Sequence, residues 1–173
     1  MTPEDKVQLR VRKIYEAAGG AVYDLSQGYR PDNSTRQTEG LGDVFVLFPE
    51  AGVSVWHETK SIRPSDLAKK DWLASRFRTQ VVRNDHVEKI TALGICDIPH
   101  LCEALLQDLG ADRRRELYLR KQSKAQKLFQ ARIEATAGLW KAPPIWYVLG
   151  GVLEALELVQ TQNVSRGTGG PNG

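Results

Sequence analysis

Cysteine, charge of one sign and long apolar runs are what this chain has least of. Two cysteines, Cys96 and Cys102, in 173 residues cannot make a disulfide framework, so the reducing cytoplasm is the expected compartment. The longest apolar stretch, Pro143 to Val159, is broken by Glu154 and Glu157; no membrane span and no membrane partner are expected. No basic-then-apolar leader opens the chain, so no signal peptide is expected either. The 24 basic and 21 acidic residues leave a net charge of only +3. With 41% hydrophobic and 26% charged residues, composition is that of a globular chain and excludes a disordered or fibrous one.

The small net charge is unevenly placed. From Ser61 to Lys127 there are fourteen basic and nine acidic residues, so this stretch is +5 and the remainder −2. Lys and Arg gathered in one block suit a polyanion, because their contacts with phosphates release counterions. Solvated helix faces would produce the same imbalance.

Thr2 can cap a helix whose first turn holds Pro3, Glu4 and Asp5, and Val7, Val11, Ile14, Tyr15 and Ala18 recur at helical spacing. Gly19-Gly20 ends it, Ala21 to Leu25 reads as a short strand, and Gln27 to Gly42 reads as a long polar loop. Asp43 to Phe48 and Val53 to Lys60 flank the turn residues Pro49 to Gly52 and form an expected hairpin. Helices are expected over Asp66–Arg83, Ile98–Leu109 and Asp112–Ala137, then a buried strand at Ile145–Leu149 and a last helix at Val152–Val159. The tail from residue 163 to 173 is rich in Gly and reads as disordered.

Side chains alternate along a strand, so Trp56, Glu58 and Lys60 share a face, and a hairpin can bring Asp43 to Glu58. Two carboxylates converging with a lysine suit a hard cation held against a phosphate, since Mg²⁺ takes oxygen ligands and typically one or two protein carboxylates. A lysine there can orient a water, or deprotonate it if the site depresses its own pKa. A solvated strand-end ion pair is the plain alternative.

The order of these pieces resembles the PD-(D/E)xK nuclease superfamily, and more narrowly the VRR-NUC family in its small stand-alone phage and bacterial form. PEDKVQLRVRKIYEAAGG is similar to that family's first helix, and TRQTEGLGDVFVLFPEAGVSVWHETK to its central hairpin. RKQSKAQKLFQARIEATAGLW followed by WYVLGGVLEAL is similar to its S-x-x-Q helix, closing strand and final helix. The resemblance implies an α/β fold: a restriction-endonuclease-like core of helix, hairpin, helix, strand and helix, as one domain over residues 1–162. It departs from the family in three places. Gly42 replaces the proline before the aspartate, Thr59 replaces an apolar residue, and a basic helical insertion over about 61–120 separates ETK from SKAQ.

By that resemblance Asp43 and Glu58 are metal ligands for Mg²⁺, with Mn²⁺ able to substitute, and the Thr59 backbone carbonyl is a third donor. Lys60 is the water-positioning base, Glu4 contributes from the first helix directly or through water, and Gln126 hydrogen-bonds near the lysine. Glu16 is the rival helix acid and Gln80 the rival glutamine. Tyr29, Arg36, Thr38 and Lys124 are candidate DNA contacts, although ordinary surface polarity also accounts for them. The implied activity is a structure-selective DNA endonuclease acting on Holliday junctions, flaps or other branched DNA as a homodimer in a bacterial or phage-infected cytoplasm. A non-catalytic nucleic-acid-binding module and a sequence-specific restriction-type nuclease stay open beside it.

His86, His100, Cys96 and Cys102 lack a usual zinc spacing, and Cys102 reads as a packed thiol. His57 falls opposite Glu58 and reads as a core or interface histidine. Gly150-Gly151 could cradle a phosphate but lacks the accompanying signature and reads as a tight turn. Trp56, Trp72, Trp140 and Trp146 read as core or dimer contacts, with base stacking the sharper alternative.

Overall fold

The computed structural model describes residues 2–25, 41–67, 101, 103–141 and 144–161. Helix α1 (Pro3–Ala17) begins as its sequence implies: the Thr2 hydroxyl accepts from the Asp5 N–H at 3.2 Å, and the Asp5 carboxylate accepts from the Thr2 N–H at 2.5 Å. This reciprocal capping box, with Pro3 in the first turn, satisfies amides that a helix start leaves open.

Strands β1 (Ala21–Asp24), β2 (Val44–Phe48), β3 (Val53–Thr59) and β4 (Ile145–Gly150) form one sheet in that order. The first three are antiparallel neighbours and β4 lies parallel to β3. A parallel neighbour requires a crossover, and this one contains α2 (Glu103–Leu109), α3 (Ala111–Lys121) and α4 (Lys124–Ala137); α5 (Val152–Thr161) follows β4. The chain is thus mixed α/β, with a four-stranded mixed sheet and five α-helices among the described residues.

The strand alternation sorts the two faces. Val44, Val46, Phe48 and Val55 point to one side and pack with Val7, Val11, Tyr15 and Ala18 of α1 and its C-cap, and with Val152, Ala155 and Leu158 of α5. On the other side Phe45 meets Trp56 with ring centroids 4.6 Å apart, and Phe129 of α4 meets Trp56 at 5.1 Å and Tyr147 at 6.1 Å. A smaller cluster of Ile62, Leu101, Leu117 and Tyr118 joins α3 to the end of the sheet.

Three expectations change. Asp112–Ala137 is two helices, because Ser123 takes extended backbone (φ −68°, ψ 164°) and caps a new start at Lys124. Ile145–Leu149 is half-buried and forms a sheet edge; its continuous apolar run serves packing against both helical layers. Strand β3 ends at Thr59, one residue before the lysine. Of the basic stretch at 61–120, the described helices α2 and α3 pack on α5 and β4, so this part shares the sheet's body. The expected helix beyond residue 67 and the tail lie outside the described residues. No described helix is long and apolar enough to cross a membrane.

Candidate active site

The hairpin register pairs Val44 with His57, which sets Asp43 opposite Glu58 at the end of the ladder. The Asp43 carboxylate accepts the Thr59 N–H at 2.9 Å, so the aspartate is anchored to the strand carrying its partner. The preceding Gly42 lies close to that strand: a Cβ there would stand 3.1 Å from the His57 carbonyl oxygen. Any side chain, proline's included, would have to move the strands apart by a few tenths of an ångström.

Glu58 is wholly buried, so the solvated strand-end pair is not what forms here. Its Oε1 accepts from Lys60 Nζ at 2.6 Å and from Gln126 Nε2. Its Oε2 is buried with no partner among the described residues. Burial, then the facing Asp43 carboxylate, push the Glu58 pKa up to about 7, against the opposing pull of Lys60. Burial likewise raises Asp43 above the usual carboxylate range. For Lys60 burial acts downward, but the Glu58 hydrogen bond and the Glu58, Glu4 and Asp43 charges outweigh it, and its pKa is raised. In the protein alone Lys60 is therefore a cationic donor that orients, and the depressed pKa required of a lysine base is not met.

Gln126 is aimed by its own helix start. The Ser123 hydroxyl accepts from the Gln126 N–H at 3.2 Å, and the Ser123 N–H donates to Gln126 Oε1 at 2.9 Å. With Oε1 engaged in this capping box, Nε2 is left to face Glu58. The S-x-x-Q motif thus starts α4 and orients the amide at once. Lys124, the first residue of α4, is exposed.

Glu4 lies in the first turn of α1, and its charge acts on Asp43, Glu58 and Lys60. Glu16, near the other end of the helix, is exposed. Sequence reasoning missed Asp24 at the end of β1, whose charge also raises Asp43. Asp24 is held by Gln8 Nε2 at 3.0 Å and Arg12 Nη1 at 2.8 Å. Its signal was positional: a strand ending in Asp beside the strand that Asp43 begins.

The floor of the site is backbone. The Gly150 carbonyl accepts the Lys60 N–H at 2.8 Å and His57 Nε2 at 3.1 Å. Gly150 has φ 151°, and a Cβ there would meet the Glu154 side chain at 2.7 Å. The Gly151 N–H donates to Glu154 Oε2 at 2.9 Å, so this turn caps its own helix and holds Lys60 in place.

His57 donates through Nε2 to that carbonyl and accepts the Tyr15 hydroxyl at Nδ1, 2.7 Å away. It is a fully buried neutral imidazole, and burial holds its pKa down at about 4. The unfolded chain takes this proton below about pH 6.5, whereas the folded one refuses it until about pH 4; stability is therefore lost as pH falls through that window. Glu58, raised from 4.5 to about 7, acts in the opposite sense over nearly the same range. In a Glu58→Gln variant the histidine effect is exposed, and urea denaturation should show a fall of about 1–2 kcal/mol between pH 7 and pH 5.

Four cations of the basic block are held within the chain: Arg114 by Glu154 at 2.7 Å, Lys121 by Asp66 at 2.5 Å, and Arg113 and Arg120 by Glu116. Trp56 and Trp146 pack partly buried, whereas Trp140 is exposed. Tyr29, Arg36, Thr38, Gln80, Trp72, His86, Cys96, His100 and Cys102 lie outside the described residues. Comparison with protein families, curated proteins and solved structures found no match.

A divalent cation fits this donor set. Oxygen-only donors suit Mg²⁺ or Mn²⁺, and Glu58 Oε2 is a buried acceptor that no donor among the described residues satisfies. Among the described residues no three His, Cys, Asp or Glu side chains gather closely enough to hold an ion. Two carboxylates with waters, the usual Mg²⁺ arrangement, are what the protein offers.

Proposed function

We propose that this chain is a Mg²⁺- or Mn²⁺-dependent DNA endonuclease of the PD-(D/E)xK type, similar to the VRR-NUC family. The observation that carries the reading is Glu58: a buried carboxylate with one oxygen unpartnered, opposite a second carboxylate and joined to a lysine and a glutamine. A structural scaffold has no use for such a group, because burying a carboxylate without full pairing is destabilising.

Asp43 and Glu58 would hold the ion, with the Thr59 carbonyl as a further donor. The ion would supply charge at the scissile phosphate and a lower pKa for water. Lys60, kept cationic by its carboxylate neighbours, orients the attacking water and offsets the developing negative charge. Gln126 keeps Glu58 in its rotamer, and Glu4 adds negative charge that favours the cation. Water attacks phosphorus in line, the P–O3′ bond breaks, and the products are a 5′-phosphate and a 3′-hydroxyl. Branched DNA is the proposed substrate, and cutting two strands across a four-way junction would require a symmetric pair of chains. Lys124 would meet a phosphate of the bound DNA, and a cytoplasmic setting goes with the same reading.

The test is a panel of labelled four-way junction, 5′ flap, 3′ flap, splayed arm, duplex and single strand, each with Mg²⁺, Mn²⁺ or EDTA. Wild type should cut at least one branched substrate with either metal and none in EDTA. Lys60→Ala should lower the rate by about 10³-fold or more, the scale of losing a preorganised charge at a reacting centre. Binding without cutting under every condition would favour a nucleic-acid-binding module instead.

A further inference from the structure

Beside Glu58 a second polar chain ends in a donor that no acceptor among the described residues takes up. Gln130 Nε2 donates to the Glu134 carboxylate at 2.7 Å, which leaves Gln130 Oε1 to accept from Gln122 Nε2 at 2.9 Å. That fixes the Gln122 amide, whose Nε2 also donates to the Tyr147 hydroxyl oxygen at 3.2 Å. Each orientation forces the next, because a carboxylate only accepts. Tyr147 is therefore used as an acceptor, and its own proton finds no acceptor among the described residues. It does not go to Gln122 Oε1, which is buried and also without a partner among the described residues.

This donor faces the site. Trp56 pairs with Tyr147 in the parallel ladder, and Glu58, two residues on from Trp56, is on the same sheet face. Gln122 directly precedes Ser123, the cap that aims Gln126 at Glu58. The Tyr147 ring is fixed by the edge of Phe129, 6.1 Å between centroids. Burial, then the Glu58 charge, raise its pKa well above the ordinary tyrosine value, so the hydroxyl keeps its proton.

We propose that the Tyr147 hydroxyl donates to a non-bridging phosphate oxygen of the DNA strand in the site, and that the Gln122–Gln130–Glu134 chain is the device that turns it there. The assignment rests on the nuclease reading and adds a substrate contact to it. Tyr147 is then a substrate-binding residue, and Gln122 and Gln130 are positioning residues acting through it.

Tyr147→Phe keeps the ring and removes the donor. On ordinary branched DNA it should lower kcat/KM by about tenfold to a hundredfold, the range for one hydrogen bond to a charged acceptor. The same pair of proteins is then run on substrates carrying one neutral methylphosphonate at successive positions around the cut. At one position, in the diastereomer whose methyl replaces the contacted oxygen, the gap between wild type and variant should close. A variant as active as wild type on ordinary DNA overturns the proposal. So does a deficit that persists at every substituted position, which would mark the hydroxyl as structural. If wild type cuts no DNA with Mg²⁺ or Mn²⁺, the nuclease reading fails, and this contact fails with it.

Discussion

Glu58→Gln is expected to abolish metal-dependent cleavage and yet make the metal-free protein more stable. The carboxylate is fully buried, bonded through one oxygen only, and its pKa is raised from 4.5 to about 7. A carboxyl whose folded pKa lies above its unfolded one favours the folded state most below the unfolded value and loses that contribution as pH rises through the folded value. By pH 8 the charged form disfavours folding by about 3 kcal/mol, from the same shift of pKa. Glutamine keeps an acceptor for Lys60 and Gln126 without the charge. Its amide leaves a donor to satisfy, so the net gain expected in EDTA at pH 8 is about 1–2 kcal/mol. Urea denaturation measures it. A loss of stability in that variant would mean that Glu58 is a structural partner of Lys60 and not a site held in readiness for a cation. Stability given up at a reacting group is the usual mark of function.

Arg114→Ala should destabilise the fold by about 3–5 kcal/mol, read by urea denaturation. Arg114 is buried, with Nε on Glu154 at 2.7 Å and Nη1 on the Leu106 carbonyl at 2.8 Å. Glu154 also accepts from Tyr118 at 3.3 Å and from the Gly151 N–H at 2.9 Å. Removing the guanidinium leaves a partly buried carboxylate at the turn whose Gly150 carbonyl holds Lys60. Adding Glu154→Gln should recover part of the loss, because the penalty lies in the unpaired charge. A double variant no more stable than Arg114→Ala alone would place the cost in lost packing instead.

The hairpin and its pair of acids were legible because they obey local rules. Alternation in DVFVLF and VSVWHETK sets the faces, the four-residue turn sets the register, and the register puts Asp43 opposite Glu58. The α1 cap was legible for the same reason, within three residues of chain, whereas the cap at Ser123 lay inside what read as one continuous helix. What escaped involves distant partners. Arg114 belongs to a run of three arginines that reads as a solvated basic face, yet its partner lies forty residues on, in α5. Tyr147 reads as core, and only the fold brings Gln122 to its hydroxyl. The depth at which Glu58 is buried depends on α4 arriving over β4 from across the crossover, which no window around E-T-K reveals.

A cation is expected to complete Glu58 and Asp43, and Mn²⁺ titration by calorimetry addresses that without DNA. Wild type, Asp43→Asn and Glu58→Gln would be titrated at pH 7.5, with folding confirmed for each. Wild type is expected to show saturable binding that is lost or sharply weakened in both variants, and displaced by Mg²⁺. Binding of equal strength in all three proteins, or none in wild type at millimolar Mn²⁺, would contradict the account.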